Sequence, residues 1–229
     1  MSKPTVVVWS VCVGDKYTDE DVLILRHMVM RQYFDCDSRH FMCLSDRQIP
    51  GVMCVPTAVD WPGWWQKLYL FHLTRNTAPG TINIYFDLDV VITGSIEPLF
   101  SEQLSMPANW AQSGHGGCQS SVMSWGGDYS HIPDRFNPIH LAKPERGNCG
   151  MYLGAAKELW GDQEFITEIM GCPGEGKIAP MGHVVSYKYH CRKGLPEDAS
   201  VVCFHGEPKP NQVNDEWVLE ARSYTPTAA

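Results

Sequence analysis

The segment from Ile82 to Ile92 restricts the possible folds of this chain more than any other part of the sequence. Apolar, β-branched and aromatic residues fill it, and only Asn83, Asp87 and Asp89 interrupt them. Such a run is typical of a strand that is covered on both faces, as in parallel sheets. Side chains two residues apart on a strand project to the same face, so we expect Asp87 and Asp89 to lie side by side.

Two carboxylates in an apolar setting repel each other, and burial disfavours their charged forms. A divalent cation that prefers oxygen ligands removes this conflict. The spacing therefore predicts a site where Mg²⁺ or Mn²⁺ joins Asp87 and Asp89 to the phosphates of a substrate. The alternative is an ordinary solvated strand end, which the long apolar lead-in disfavours.

An apolar strand that ends in Asp-x-Asp is typical of two classes of enzyme, the nucleotide-sugar glycosyltransferases and the haloacid-dehalogenase type of phosphatase. In the phosphatases the motif lies near the N-terminus, and a later acidic pair follows in a Gly-Asp-x-x-x-Asp pattern. Here a long stretch of α/β sequence precedes the motif, and the run Gly161 to Ile166 lacks the second acid of that pattern. These two differences favour the glycosyltransferase.

The sequence around this segment predicts an α/β fold with a mainly parallel central sheet flanked by helices. Val6 to Val13 is a nearly continuous apolar strand, and Thr18 and Asp21 stand in capping-box spacing before a helix that extends to about Tyr33. The further predicted strands are Arg39 to Leu44, Val52 to Val55, Val122 to Trp125, Val184 to Tyr189 and Val201 to Phe204. The further predicted helices are Trp64 to Arg75, Glu97 to Phe100 and Ala156 to Met170, with irregular sequence from Ser101 to Cys118 and a long loop or lid from Asp128 to Gly150.

Composition limits the partners and the compartment. The formal net charge of -8 argues against binding to nucleic acid or to an anionic membrane surface. No apolar stretch reaches the roughly 18 residues of a membrane span, so no integral membrane segment is expected. The nine cysteines are odd in number and form no Cys-x-x-Cys pair, which argues against a disulfide scaffold or a zinc ribbon. We therefore expect a soluble protein in the reducing cytoplasm.

A second group of polar residues follows the last predicted strand, in Cys203-Phe204-His205-Gly206-Glu207-Pro208-Lys209-Pro210. His205 can complete the coordination of a metal through a ring nitrogen. Gly206 allows the backbone to approach a phosphate closely, and Lys209 supplies a positive charge to a diphosphate. Beside the Asp-x-Asp segment, this run predicts a phosphate cradle rather than a surface turn.

Together these motifs resemble those of the family 8-like glycosyltransferases of the GT-A fold, which include glycogenin and bacterial galactosyl- and glucosyltransferases. The resemblance covers roughly residues 5 to 212. The motifs occur in the family's order: Lys67-Leu68, then Phe86-Asp87-Leu88-Asp89 closing with Leu99-Phe100, Gln119-Ser120-Ser121-Val122-Met123, Asp162-Gln163, and His205 to Pro210. Two of them depart from the family pattern, because Gln and Ser replace Asn and Gly in the third motif, and His205 lies one residue nearer to its glycine.

The resemblance implies a GT-A-type, Rossmann-like sheet and a role for each motif. Asp87, Asp89 and His205 would hold Mn²⁺ or Mg²⁺, with Asp87 also near the donor. Lys67 would contact the donor, and Gly206 and Lys209 would hold its diphosphate. Asp162 and Gln163 would be the catalytic pair beside the transferred sugar. The loop Val13 to Tyr17 would meet the base, with Tyr17 as a stacking partner.

The implied donor is a nucleotide-sugar, most simply a UDP-sugar, and the acceptor is an unidentified glycan, lipid or protein. We expect one glycosyltransferase domain over residues 1–229, with a nucleotide-binding half at about 1–100, an acceptor-facing half at about 101–212 and a tail at 213–229. Two alternatives stay open from the residues alone. One is a phosphatase or nucleotidyltransferase that uses the same acidic strand, and the other is a non-catalytic module that binds a nucleotide-sugar.

Two weaker features also have two interpretations each. Trp61, Trp64 and Trp65 either form an acceptor platform or pack a helix onto the sheet, and packing is the favoured interpretation. Lys188, in the run Ser186 to His190, either faces the pocket or is solvated, and solvation is favoured.

Overall fold

The fold is known from a computed structural model, which describes residues 3–32, 34–110, 117–142, 150–153, 157–159 and 161–224. The strands are β1 (Thr5–Cys12), β2 (Ser38–Ser45), β3 (Met53–Pro56), β4 (Thr81–Phe86), β5 (Val90–Ile92), β6 (Ser105–Met106), β7 (Val122–Trp125), β8 (Leu141–Ala142), β9 (Gly150–Leu153), β10 (Lys157–Leu159), β11 (Ala179–Pro180), β12 (Val184–Ser186) and β13 (Val201–Cys203). The α-helices are α1 (Asp19–Arg31), α2 (Tyr69–Leu73), α3 (Asp162–Met170), α4 (Tyr187–His190) and α5 (Glu216–Arg222). Short 3-10 helices cover Gly63–Leu68, Glu97–Leu99, Pro133–Arg135, Pro138–His140 and Pro210–Gln212.

The main sheet has seven strands in the order β11-β6-β7-β4-β1-β2-β3. Strand β1 pairs in parallel with β2 and β4, and β2 pairs in parallel with β3, whereas β7 runs antiparallel to β4. Because β1, β2 and β4 are parallel, the loops that follow them meet at one edge of the sheet, where α/β proteins bind ligands. The expected mixed, mainly parallel α/β fold is confirmed.

Apolar side chains cover both faces of this sheet, as the alternation in β1 shows. Val6 and Val8 are buried in one core cluster with α1, whereas Trp9 is buried in the cluster on the opposite face with α2. Helix α1 begins with the predicted capping box, in which the Thr18 side chain accepts a hydrogen bond from the backbone of Asp21 and the Asp21 carboxylate accepts one from the backbone of Thr18. This cap satisfies backbone groups that the first turn of a helix leaves without partners.

The predicted strand from Ile82 to Ile92 is wrong as a single element. It divides into β4, in the main sheet, and β5, which pairs antiparallel with β13 in a three-stranded sheet ordered β12-β13-β5. In the turn between them, Asp87 to Asp89, the Val90 N–H donates to Asp87 O (3.4 Å). The Asp87 N–H donates to Ser121 O (2.9 Å) and the Phe204 N–H donates to Asp89 O (3.2 Å), which ties the two ends of the turn to different sheets. Asp87 and Asp89 therefore flank a turn between two sheets instead of sharing one strand face.

Other element boundaries also differ from the expectations. Helix α3 begins at Asp162, and the three residues Lys157–Leu159 before it form a strand rather than helix. The segment expected as one helix from Trp64 is a 3-10 helix, Gly63–Leu68, that continues into α2. The strand expected to reach Tyr189 ends at Ser186, where α4 begins.

The second half of the chain contains two smaller features of note. The supposedly irregular stretch from Ser101 contains β6, and the first part of the expected lid is packed, since Ile132 and Phe136 are buried in the core. The segment 143–149 of that lid lies outside the described residues.

Within the described ranges, no helix has the length and apolar character needed to cross a bilayer.

Candidate active site

A cavity of about 610 Å³ opens where the loops after β1 and β4 meet the loop after β13. All ten residues that the sequence analysis placed in a site line this cavity: Val13, Tyr17, Lys67, Asp87, Asp89, Asp162, Gln163, His205, Gly206 and Lys209. They come from five separate segments of the chain, so their meeting is a product of the tertiary fold. Pockets of this size hold small-molecule and cofactor ligands.

Lys67 forms the buried centre of the site. Its side chain is 5% exposed, and its Nζ lies 3.0 Å from Asp87 Oδ1 and 3.4 Å from Asp162 Oδ2. Burial opposes the charge of this ammonium, but the nearby Asp162 and Asp87 outweigh burial and raise the pKa of Lys67 above its ordinary value. Lys67 is therefore a permanent cation between two carboxylates.

The pKa values of the two carboxyl groups that share Lys67 shift in opposite directions. Burial acts to raise the pKa of Asp87, but Lys67 and the Tyr85 hydroxyl, which donates to Asp87 Oδ1 at 2.5 Å, together lower it. At Asp162 burial outweighs Lys67, and the pKa of this carboxyl is raised. Asp87 is thus the firmly ionised member of the pair.

Asp89 has a similar set of partners on the other side of the turn, and its side chain is 10% exposed, against 25% for that of Asp87. Its Oδ2 accepts hydrogen bonds from Lys209 Nζ (2.5 Å) and from the Tyr17 hydroxyl (2.9 Å). Burial and then the charge of Asp89 raise the pKa of Tyr17 well above its ordinary value, so its hydroxyl stays protonated and donates. The hydroxyl of Tyr17, the residue expected to stack on a base, thus reaches the acidic turn, and Lys16 Nζ lies 5.0 Å from the centre of its ring.

The sequence analysis missed the residues that hold the loop from Val13 to Tyr17. The Gly14 N–H donates to Asp46 Oδ2 (2.8 Å), and the Arg47 guanidinium donates to Gly14 O (3.1 Å) and to Tyr17 O (2.9 Å). Asp46 and Arg47 directly follow β2, which is parallel to β1, so both loops leave the same edge of the sheet. Because Asp46 and Arg47 follow the strand predicted after β1 in the chain, their contact with the loop after β1 could have been anticipated from the sequence.

His205 lies between two aromatic rings. The ring of Trp110 is 5.8 Å away at an interplanar angle of 23°, and that of Tyr189 is 5.9 Å away at 22°. His205 Nε2 is 2.7 Å from Ser186 Oγ. Burial and then the charge of Lys188 lower the pKa of His205, which favours the neutral imidazole that a metal would require.

The catalytic pair expected from the resemblance lies at the start of α3. Asp162 is buried, and Gln163 lines the cavity beside it. Gly161 precedes them at a point where the backbone approaches Trp64 closely, since a methyl group on Gly161 would come 3.3 Å from the indole nitrogen.

The tryptophan cluster divides between the two interpretations given for it. Trp65 is fully buried against Phe136, with ring centres 4.8 Å apart, and Trp61 also packs on Phe136 at 4.6 Å. Trp64 instead lines the cavity. Packing explains two of the three rings, and only Trp64 is placed to meet a ligand.

The predicted metal ligands fit a divalent cation in kind, because two carboxylates and a neutral imidazole suit Mg²⁺ or Mn²⁺. Within the described part of the chain, however, no three His, Cys, Asp or Glu side chains are gathered so as to hold a metal ion. Lys67 and Lys209 neutralise Asp87 and Asp89. The three expected ligands share a cavity, and metal binding stays a prediction.

The fold and this cavity together define a class: the chain has the GT-A fold found in nucleotide-sugar glycosyltransferases. It is similar to the galactosyltransferase LgtC in complex with donor and acceptor sugar analogues, with a TM-score of 0.57 and 12% identity, over 96% of this chain and 97% of that one. It is also similar to the glycosyltransferase GlyE of Streptococcus pneumoniae TIGR4 (TM-score 0.59, 13% identity), covering 97% of this chain and 62% of that one.

A third similar structure is the bifunctional glycosyltransferase WbbM, with a TM-score of 0.57 and 12% identity, over 98% of this chain and 50% of that one. No family model and no curated protein matches the sequence. At 12–13% identity these likenesses concern the fold, and they confirm the expected GT-A architecture.

Proposed function

We propose that the protein is a glycosyltransferase that moves a sugar from a nucleotide-sugar, a UDP-sugar in the simplest case, to a glycan, lipid or protein acceptor. One observation carries the proposal. Residues of five separate motifs, selected from the sequence alone, line a single cavity at the ligand-binding edge of a GT-A sheet. The glycosyltransferases among the similar structures support it.

The proposed roles follow the position of each residue in the cavity. The loop Val13 to Tyr17, held by Arg47, would receive the base of the donor, and Gly206 and Lys209 would receive its diphosphate. Asp162 and Gln163 would face the transferred sugar. Residues 1–100 would then form the nucleotide-binding half of one domain, residues 101–212 the acceptor-facing half, and 213–229 a tail.

The chemical demand on the site is the negative charge that develops on the diphosphate as the sugar leaves. Lys209 supplies a positive charge at that point, since a donor diphosphate would replace Asp89 as its partner. Lys67 lines the same cavity and would contact the donor there. It also holds Asp87 and Asp162 in fixed positions, and so acts as a positioning residue.

Asp87, Asp89 and His205 would hold Mn²⁺ or Mg²⁺, which when bound would add positive charge beside the diphosphate. The cytoplasm is the compartment we propose, because every cysteine in the described ranges is a free thiol.

The test is a thermal-shift screen of nucleoside diphosphates and nucleotide-sugars, with Mn²⁺ or with EDTA, followed by product analysis. A donor should raise the melting temperature, by more the more tightly it binds at a given concentration, and Mn²⁺ should increase that shift. Asp89→Ala should retain the fold and lose metal-dependent transfer or donor hydrolysis. Full activity in this variant or in excess EDTA would contradict the metal proposal.

The products separate this function from the alternatives. A glycosyltransferase supplied with its donor and water alone releases free sugar and a nucleoside diphosphate. Release of inorganic phosphate would instead indicate a phosphatase. Tight donor binding with no turnover on any acceptor of a broad panel would indicate a binding module.

A further inference from the structure

Gly206 has a neighbour that the sequence motifs do not account for. Its backbone has φ +70°, in the region that favours glycine, and a methyl group on its α-carbon would come 2.9 Å from Lys188 Nζ. The ammonium of Lys188 therefore occupies the space that the missing side chain leaves. Gly206, which the sequence predicts to let a phosphate approach the backbone, also lets the side chain of Lys188 approach it.

The topology explains how Lys188 reaches this position. Strand β12 pairs in parallel with β13, with Ser186 opposite Cys203, so the residues that follow the two strands lie next to each other. The ring of Tyr187 stacks on that of Phe204, with centres 4.3 Å apart. Arg192 Nε donates to Lys188 O at 3.0 Å and closes the turn of α4.

The charge of Lys188 is compensated differently from that of the other two lysines. Lys67 is paired with Asp87 and Asp162, and Lys209 is paired with Asp89. Among the residues that the structure describes, no carboxylate oxygen lies within 4.0 Å of Lys188 Nζ. Two ammonium groups lie at the Gly206 loop, which lines the cavity. Lys209 has a carboxylate partner, and Lys188 has none among the described residues.

We infer that Lys188 is a second cationic ligand of the donor diphosphate, acting across Gly206 from Lys209; the inference rests on the proposed function. A diphosphate at this loop would contact two ammonium groups. Lys209 must first break its ion pair with Asp89, whereas Lys188 has no carboxylate partner among the described residues. Phosphate oxygens accept charge-assisted hydrogen bonds from ammonium groups, and these are stronger than neutral ones. Lys188 is half-buried and meets the wall of the cavity at Gly206, so this inference gives it a place beside the donor in addition to its contact with solvent.

The experiment is a calorimetric titration of the full chain with UDP and with uridine, which shares the base but carries no phosphate. GDP, ADP, CDP and dTDP, with their nucleosides, are run in parallel so that the base is not assumed. The variants are Lys188→Ala, Lys188→Gln and Lys188→Arg. The matched control is Lys193→Ala, which removes one exposed lysine nearby and makes the same change in net charge.

Lys188→Ala and Lys188→Gln should each weaken binding of the diphosphate about tenfold and leave nucleoside binding unchanged. Lys188→Arg should retain most of the affinity because it keeps the charge, and Lys193→Ala should bind as the wild type does. Circular dichroism checks that each variant folds, and Lys188→Gln preserves most of the side chain's packing if Lys188→Ala does not fold.

The outcomes separate this inference from the proposed function. If the wild type binds a nucleoside diphosphate and both neutral variants bind it equally well, the inference fails and the proposed function stands. Equal weakening of nucleoside and diphosphate would also overturn the inference, because it would indicate a structural role. A wild type that binds no nucleoside diphosphate would overturn both.

Discussion

Asp87 and Asp89 have the same kinds of partner, one lysine and one tyrosine each, but the two lysines differ in exposure and in their number of carboxylate partners. The side chain of Lys67, beside Asp87, is 5% exposed and also contacts Asp162, whereas that of Lys209, beside Asp89, is 23% exposed. A buried cation between two carboxylates cannot leave without stranding their charges, whereas a more accessible cation with one partner can exchange it. The comparison therefore supports the proposed roles, in which Lys67 holds the carboxylates of the site in place and Lys209 binds the ligand.

The largest difference between the two regions should appear when each lysine is replaced by methionine, which has a similar length and no charge. Lys67→Met should lower the free energy of unfolding by about 3–5 kcal/mol, because it leaves buried carboxylates uncompensated. Lys209→Met should lower it by less than about 1 kcal/mol, since Lys209 is partly exposed and Asp89 keeps the Tyr17 hydroxyl as a partner. Urea unfolding measures both, and equal losses would refute the distinction.

The two tyrosines provide a smaller version of the same comparison. Tyr85→Phe removes the hydroxyl that donates to Asp87 and should cost about 1.5–3 kcal/mol of stability, as expected for a bond from a buried donor residue to a charged acceptor. Tyr17→Phe removes the equivalent bond to Asp89 and should cost about 1 kcal/mol. Urea unfolding measures both losses of stability. A larger loss for Tyr17→Phe than for Tyr85→Phe would contradict the conclusion that the partners of Asp87 contribute more to stability than those of Asp89.

Ligand binding should show the opposite order. Lys209→Ala should weaken binding of a nucleoside diphosphate about tenfold, which corresponds to about 1.4 kcal/mol, with no loss of nucleoside binding. Arg47→Ala should instead weaken nucleoside and diphosphate together, because Arg47 holds the loop proposed to meet the base. Isothermal titration of both ligands distinguishes the two patterns, and identical patterns would contradict the proposed division of the cavity.

The smallest effect is a pH dependence of opposite sign at the two carboxylates that share Lys67. The pKa of Asp87 is lowered from 3.8 by Lys67 and Tyr85, against burial, so its stabilising effect is present above that value and is lost as pH falls below it. The pKa of Asp162 is raised from 3.8 by burial, so its contribution is greatest at low pH and is lost as pH rises through the raised value.

Urea unfolding of the wild type, Asp87→Asn and Asp162→Asn across acidic to neutral pH tests this pair. The advantage of the wild type over Asp87→Asn should shrink as pH falls below about 3.8, whereas its stability relative to Asp162→Asn should increase as pH falls towards that value. If the stability of both variants relative to the wild type changes with pH in the same way, the pKa values of Asp87 and Asp162 do not shift in opposite directions.

Much of the fold was predictable because its causes are local. The apolar run of β1, the capping box at Thr18 and the apolar stretch before Asp87 depend on residues close together in the chain. The break between β4 and β5 was not predictable from that stretch, because the backbone groups that bind the two ends of the turn belong to the distant residues Ser121 and Phe204. A continuous apolar run is compatible with one long strand or with two short strands in different sheets.

The candidate site also contains residues that could be predicted from the sequence and residues that could not. Motif residues such as Lys67, Asp87, Asp162 and His205 were identified from residue type and order, and the structure places them around one cavity. Arg47, Trp110 and Tyr189 belong to no motif, and each acts through contact with a residue distant in sequence. Such contacts leave no local pattern.

The sequence by itself determined the α/β class through its periodicity. The order of its motifs determined the resemblance to the GT-A glycosyltransferases and, through it, ten of the residues that line the cavity. Only the tertiary structure decided that the Asp87-Leu88-Asp89 segment is a turn, and that Lys67 is buried between two carboxylates. It also decided that Lys188 lies over Gly206. The physical reason is that burial and charge pairing depend on which distant segments meet, and chain order does not specify that.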